Sequence, residues 1–427
     1  MPLFDYPTET VFTWAATPLK FGIGALAEIG EDCVSLGLRR VLVLTDARVL
    51  ETGAVQRVSD SIHASGITSE TYDRVAVEPT DQSIAEAVAF AKEGTWDGYV
   101  AVGGGSVMDT AKAVNLLTTQ EGELLDYIAP PIGAGRRIER PVKPLVAVPT
   151  TAGTGSESTT ICVVDLLERR LKAGISATQL RPVLAVVDPL TTLSAPPEVT
   201  AASGIDVLSH AVESYTALAF DARPRFQNAA SRAAFCGANP ISDAWCEVAM
   251  GKVGRYLRRV VYDGDDLEAR REMAFASAVT GMGFGNAGTH IPHANAYPVA
   301  GAVTDYQPSG YPSMPMVPHG QAVGATAPAA FRFTFPSNRD RHLRAAHLIS
   351  GQALASDAGE RALPDVLTSL MKDIEVPNGI GAFGYRSTDI DMLVEGTMKQ
   401  SRQLSVVPRK LTEKAARTIF EESMENW

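Results

Sequence analysis

Asp97-Gly-Tyr-Val-Ala-Val-Gly-Gly-Gly-Ser106 reads as a short buried strand that empties into three successive glycines. The apolar run at residues 99–102 is strand-sized, and it stops where the glycines begin. Glycines let the chain turn sharply and bring backbone N–H groups close to a ligand. A helix opening after them adds partial positive charge. Together these features suit a pyrophosphate. Gly104, Gly105, Ser106 and Asp109 are therefore candidate cofactor-binding residues. Ser106 can equally cap the helix with Asp109 three residues later, as in a capping box. The pattern is not G-x-G-x-x-G, so the usual dinucleotide fingerprint is absent.

Outward from this stretch, strand-like runs at 41–45, 144–148 and 184–187 alternate with helical spacing such as that of residues 83–93. Such alternation predicts a mostly parallel sheet covered on both faces. A second glycine-rich loop, Pro149-Thr-Thr-Ala-Gly-Thr-Gly-Ser-Glu157, follows the third run. Its hydroxyls and N–H groups can hold phosphate or a nicotinamide amide. Two such loops at strand carboxyl ends define one crevice, where open α/β sheets bind ligands. Asp46 closes the run at 41–45. A carboxylate there can accept from a ribose diol and would repel a 2′-phosphate; a plain turn residue is the other reading.

After Pro196-Pro197 the strand-like runs nearly vanish, and residues 201–217, 241–259, 267–279, 341–354 and 364–374 read as helices. The boundary is expected near 188–198, giving an α/β domain at 1–190 and an all-helical domain at 191–427. A Pro-rich stretch at 298–318 reads as one long irregular loop, and a loop that long is usually functional or disordered.

The 427 residues fit two domains, and a formal charge of −11 argues against a nucleic-acid partner. No apolar run approaches the roughly 20 residues of a membrane span. Cys33, Cys162, Cys236 and Cys246 form no C-x-x-C pair and read as buried thiols in a reducing compartment. The N-terminus lacks a charged segment followed by an apolar one, which makes the cytoplasm the expected location, or the mitochondrial matrix if a presequence has been removed.

Asp206 and His210 stand at i and i+4, on one face of a helix. Alone, such a pair is more often a hydrogen-bonded core pair. His290 and His293 follow at i and i+3, and His319 lies in Pro318-His319-Gly320. One carboxylate with three imidazoles suits a divalent first-row metal, Fe²⁺ or Zn²⁺, and spacing does not choose between them.

Gly-Gly-Gly-Ser-Val-Met-Asp-Thr-Ala-Lys112, the 149–157 loop, Gly-Ile-Asp-Val-Leu-Ser-His-Ala-Val-Glu213 and Pro-His-Gly320, in this order, resemble the iron-containing (group III) alcohol dehydrogenases. The resemblance spans nearly the whole chain. It implies a Rossmann-like dinucleotide-binding domain, an all-helical metal-binding domain, a dehydroquinate-synthase-like architecture and an active site in the cleft between the two. Lyases share that architecture, but their substrate pockets are rich in basic residues. The resemblance further implies Asp206, His210, His293 and His319 as metal ligands, with Fe²⁺ ahead of Zn²⁺. His293 is preferred over His290 because His-Ala-Asn-Ala-Tyr-Pro298 aligns with the family's His-x-x-x-His-Pro. NAD is implied as cofactor, with Gly104, Gly105, Ser106, Thr150, Thr151 and Thr154 along it, Lys172 nearby, and Asp46 selecting NAD over NADP. Many relatives carry a histidine where this chain has Tyr297; Tyr297 or His290 is then the expected proton carrier. Val77-Glu-Pro-Thr-Asp81 and Gly283-Phe-Gly-Asn-Ala-Gly288 are most similar to a branch that passes hydride from a hydroxyacid, such as 4-hydroxybutyrate, to a 2-oxoacid, such as 2-oxoglutarate. An ordinary NAD-dependent alcohol dehydrogenase is the alternative. The substrates' carboxylates call for a basic partner, with Arg223, Arg225 and Arg332 as first guesses. A homo-oligomer is expected.

Overall fold

The computed structural model describes residues 6–169, 171–228, 232–233 and 235–427. The chain divides into two compact units. One comprises Ala16–Thr200 with Asp263–Ala278; the other comprises Ala201–Tyr262 and Val279–Trp427 with the N-terminal residues up to Ala15.

The first unit is built on strands β1 (Leu19–Phe21), β2 (Arg40–Leu44), β3 (Thr68–Tyr72), β4 (Gly98–Gly103), β5 (Leu145–Pro149) and β8 (Leu184–Val187). They form one parallel sheet in the order β1-β8-β5-β4-β2-β3. Strands β6 (Ile161–Leu166) and β7 (Leu171–Ser176) make a separate antiparallel hairpin. In β2, β4 and β5 successive side chains point to opposite faces, yet nearly every residue is buried. Val41, Val43, Val100, Val102, Val146 and Val148 pack on one side with helices α1 (Ile29–Ser35) and α2 (Ala54–Ala64). Leu42, Leu44, Tyr99, Ala101, Leu145 and Ala147 pack on the other with α3 (Asp81–Glu93) and α4 (Gly105–Thr119). Apolarity on both faces explains why these strands read as continuous runs. The chain proceeds from β2 out to β3 and then returns to the far side of β2 to lay down β4. That reversal is a topological switch point, the place where open α/β sheets bind ligands at strand carboxyl ends. Asp46 follows β2, and the triple glycine ends β4, beside it.

The second unit is helical. It contains α6 (Pro240–Tyr262), α8 (Ile291–Gly301), α9 (His319–Thr334), α10 (Arg339–Ser350), α11 (Ala362–Asp373), α12 (Ile390–Met398) and α13 (Glu413–Glu422). Helix α5 (Pro197–Thr216) contributes most of its length to it, and α7 (Leu267–Ala287) joins it from Val279 onward. Ile291, Val299, Val323, Leu393, Ile419 and Phe420 form its core. No helix among the described residues is long and apolar enough to cross a membrane. Cys33, Cys162 and Cys246 are buried, Cys236 is half-buried, and all four are free thiols.

Two expectations are corrected. The Pro-rich stretch is not irregular throughout, because α8 continues through Pro298 to Gly301. Its remainder is tied down: the Tyr306 hydroxyl donates to Gln321 Oε1 at 3.1 Å, the Met316 N–H donates to the Tyr306 carbonyl at 2.8 Å, and Met316 and Val317 are buried. Nor do Ser106 and Asp109 form a capping box. Helix α4 starts two residues earlier than that reading requires, with Gly104 as its N-cap and no side-chain cap. Ser106 Oγ instead accepts from the Glu78 N–H at 3.0 Å. Asp109 takes the Ser156 hydroxyl at 2.7 Å on one oxygen and the Val163 N–H at 2.9 Å on the other.

Lys112, three residues on and fully buried, completes that tether. Its ammonium donates to the carbonyls of Ser156 (2.8 Å) and Ile161 (2.7 Å) and to the hydroxyls of Ser156 (2.7 Å) and Thr159 (3.2 Å). The Asp109–Lys112 pair thus staples the second glycine-rich loop to the helix that follows the first. Lys112→Met should remove four buried bonds and strand the Asp109 charge, destabilising the unit by about 3 kcal/mol or more in urea unfolding. Adding Asp109→Asn should recover part of the loss. A single variant within ~0.5 kcal/mol of wild type would contradict this account.

Candidate active site and metal centre

At the carboxyl edge of the sheet the two glycine-rich loops touch. The Thr150 N–H donates to the Gly103 carbonyl at 3.0 Å. A Cβ on Gly105 would lie 2.6 Å from Thr154 Cγ2, and one on Gly104 would lie 3.4 Å from Thr151 Oγ1. Close approach therefore requires Gly105, whereas a Cβ on Gly104 would make only ordinary contact. Asp46 is the N-cap of the short helix Ala47–Glu51, its Oδ1 accepting from the N–H groups of Arg48 and Val49, both at 3.0 Å. Lys172, expected near the cofactor, is buried in an ion pair with Glu78 at 2.5 Å and lies 3.6 Å from Asp165. Its ammonium stabilises the hairpin rather than offering an open cation, and Asp109 likewise serves the loop tether.

In the helical unit the expected metal ligands converge. Helix α5 places Asp206 and His210 one turn apart, α8 supplies His293 in its first turn, and α9 opens with His319. One ligand atom from each of Asp206, His293 and His319 lies within 4.8 Å of the others. Asp206 Oδ1 is 3.6 Å from His210 Nδ1, 3.6 Å from His293 Nε2 and 4.0 Å from His319 Nε2. His210 Nε2 faces His293 Nε2 at 2.9 Å, and its ring stacks on Phe284 with centroids 3.8 Å apart. Close approach of α9 to α5 needs Gly320, because a Cβ there would meet the Ala202 carbonyl oxygen at 1.9 Å. Asp206 Oδ1 and His210 Nδ1 are buried with no hydrogen-bond partner among the described residues. Buried polar atoms are rarely left so, and a cation is the partner that a carboxylate and several imidazoles accept together. The donor set thus fits a divalent metal.

Burial pushes the Asp206 pKa up, but the imidazoles of His210, His319 and His293 outweigh it and hold the group below the usual carboxylate range. Burial pushes His210 down to about 3, so it is a neutral donor. Burial also lowers His293, but the Glu213 and Asp206 carboxylates reverse the shift and raise it to about 9.

Glu213 is the residue whose role the sequence reading missed. It lies three residues after His210 and seven after Asp206, a spacing that keeps all three on one helix face. Fully buried, it receives His293 Nδ1 at 2.5 Å, the His290 N–H at 2.5 Å and the His293 N–H at 3.4 Å. This fixes the His293 tautomer and turns Nε2 toward Asp206, the carboxylate–histidine–metal arrangement.

The two expected proton carriers separate. His290 is wholly enclosed, and burial lowers it to about 4. Its Nδ1 accepts from the Ile291 N–H at 2.8 Å, and its Nε2 faces the Thr216 hydroxyl at 3.1 Å. Both nitrogens are committed to the core, which argues against proton carriage there. Tyr297, one turn after His293, sets its ring edge-on to His319 with centroids 6.5 Å apart, and its hydroxyl accepts from Arg402 at 3.0 Å. Of the guessed basic residues, Arg223 is buried against the Phe235 carbonyl, Arg225 is exposed, and Arg332 pairs with Glu422.

Glu213→Gln should weaken metal binding about 10- to 100-fold in chelator competition, because an amide cannot accept from three N–H groups as a carboxylate does. The variant should remain folded by circular dichroism. Wild-type metal affinity in this variant would remove Glu213 from the site.

Residues 16–189 match the family model described as iron-containing alcohol dehydrogenase, and residues 233–424 match that of the Fe-containing alcohol dehydrogenase family, C-terminal. The chain is 44% identical to the mitochondrial hydroxyacid-oxoacid transhydrogenase of Xenopus tropicalis, over 99% of this chain and 92% of that protein. It is 43% identical to that of Homo sapiens, over 98% and 90%. Both names place those relatives in mitochondria, so the expected cytoplasmic location finds no support among them. Among solved structures, a 1,3-propanediol oxidoreductase superposes with a TM-score of 0.84 at 30% identity, covering 97% of this chain and 100% of that one. A sulfoacetaldehyde reductase from Bifidobacterium kashiwanohense in complex with NAD⁺ gives 0.79 at 26% identity, over 97% and 98%. On the strength of both domain matches and whole-length identity, this chain belongs to the iron-containing alcohol dehydrogenase family of oxidoreductases.

Proposed function

We propose that the protein is a hydroxyacid-oxoacid transhydrogenase, and that 4-hydroxybutyrate and 2-oxoglutarate give succinic semialdehyde and 2-hydroxyglutarate with no net change in cofactor. The observation that carries this reading is the whole-length identity to relatives of that name, joined to the cluster of Asp206, His210, His293 and His319. Two electrons and two protons leave the donor's carbinol group and arrive at the acceptor's carbonyl, so the reaction balances without an external oxidant. When bound, a divalent metal, iron before zinc, supplies Lewis-acid polarisation of the substrate oxygen, and NAD supplies a reversible hydride acceptor. Asp206 and the three imidazoles would hold the metal, and Glu213 keeps the Nδ1 proton of His293 in place, which leaves the Nε2 lone pair for it. Gly104, Gly105 and Ser106 cradle the pyrophosphate, with Thr150, Thr151 and Thr154 beside them. Tyr297, whose ring stands beside His319, belongs to the site in preference to His290, but its hydroxyl serves to position Arg402, so the substrate proton leaves through water.

With no free NAD present, 4-hydroxybutyrate deuterated at the carbinol carbon should deliver its label to carbon 2 of 2-hydroxyglutarate, undiluted by unlabelled NADH in solution. Activity that requires added NAD, with the label equilibrating into that pool, would make the enzyme an ordinary alcohol dehydrogenase.

Cofactor choice is proposed to rest on Asp46. Asp46→Asn keeps an N-cap residue but removes the charge, so relative use of NADP should rise about tenfold or more in kcat/KM. An unchanged NAD-to-NADP ratio would relieve Asp46 of that role.

A further inference from the structure

We infer that Arg402 is the residue that binds the substrate carboxylate, an assignment that rests on the hydroxyacid reading above. Arg402 lies in the short helix Ser401–Leu404 of the helical unit and is half-buried. Its terminal nitrogen donates to the Tyr297 hydroxyl at 3.0 Å, and its guanidinium lies 5.5 Å from the centroid of the Phe235 ring. These neutral contacts orient the fork but leave its charge uncompensated. Among the described residues no carboxylate pairs with it, whereas Arg258, Arg332, Arg341, Arg344 and Arg417 each hold one. Its Nε is buried and finds no acceptor among the described residues. A guanidinium with an unsatisfied buried N–H and no counter-ion is short of an anion, and a carboxylate is the planar acceptor that a fork matches.

Its place fits the chemistry. Tyr297 bridges the two ends, its ring standing edge-on to His319 at 6.5 Å and its hydroxyl holding Arg402. One tyrosine side chain thus contacts both a ligand of the cluster and the guanidinium. An extended four-carbon hydroxyacid has a comparable length from hydroxyl to carboxylate. A hydroxyacid or oxoacid of four or five carbons can thus place its oxygen at the cluster while its far carboxylate meets Arg402. A simple alcohol of the same length gains nothing from that charge.

The test compares kcat/KM for 4-hydroxybutyrate with that for 1-butanol, with NAD added, in wild type, Arg402→Gln and Arg402→Lys. Wild type should favour the acid. Arg402→Gln should lower the acid-to-alcohol ratio roughly 10²-fold, mainly through KM, and Arg402→Lys should recover part of it. Calorimetry with glutarate, an unreactive dicarboxylate, should show a matching loss of affinity in the Gln variant. Both variants are checked by thermal unfolding, and the Lys variant carries the test if the Gln variant does not fold. A wild type that shows no preference for the acid overturns the hydroxyacid reading and this assignment together. A wild type that prefers the acid, with variants that keep both the ratio and the glutarate affinity, overturns Arg402 alone.

Discussion

Two carboxylates buried in a helical core set the terms for the rest of this molecule. Asp206 and Glu213 are almost inaccessible to solvent, and an ionised carboxylate is tolerated there only with partners in place. Glu213 finds its partners within the protein, in three N–H groups from the segment 290–293. Asp206 differs: its Oδ1 faces three imidazoles and has no hydrogen-bond donor among the described residues. Glu213 is a structural anchor, and Asp206 is one of the four proposed ligands. Replacing either changes the balance of charge for the other, because His293 touches both. Helix α8 is thereby held against α5 by the same groups that aim a ligand.

The α/β unit solves a similar problem with opposite signs. One of its buried charges is the Lys112 ammonium, which is satisfied by four oxygens of the 156–161 segment and accompanied by Asp109. The polar, glycine-rich loop that should meet a cofactor is thus fixed from beneath by a buried network. Fixed loops need less ordering when a ligand arrives, which favours tight cofactor retention. A transhydrogenase depends on such retention more than an ordinary dehydrogenase does.

Much of this was legible in the sequence, and for identifiable reasons. Strands β2, β4, β5 and β8 are buried on both faces, so each appears as an apolar run. Strand β3, Thr-Ser-Glu-Thr-Tyr at the sheet edge, carries no such signal, and β1 is only three half-buried residues. The Asp206–His210 spacing exposed the metal face, but His290 and His293 were separable only by resemblance. The structure gives the physical reason: His290 precedes the first turn of α8 and accepts that turn's own N–H, whereas His293 lies within the helix and points out of it. Glu213 was visible as a face-sharing acid yet had no assigned purpose. Arg402 was not legible, since nothing in Ser-Arg-Gln-Leu distinguishes it from other surface arginines until Tyr297 and Phe235 surround it.

X-ray absorption at the iron edge of Fe²⁺-loaded protein tests the centre most directly. The account predicts a shell of light atoms only, at about 2.0–2.2 Å, with the outer-shell scattering of imidazole rings and an intensity near three. That imidazole pattern should weaken in His293→Ala while the oxygen contribution remains. A sulfur scatterer at about 2.3 Å, or a shell without imidazole, would contradict it.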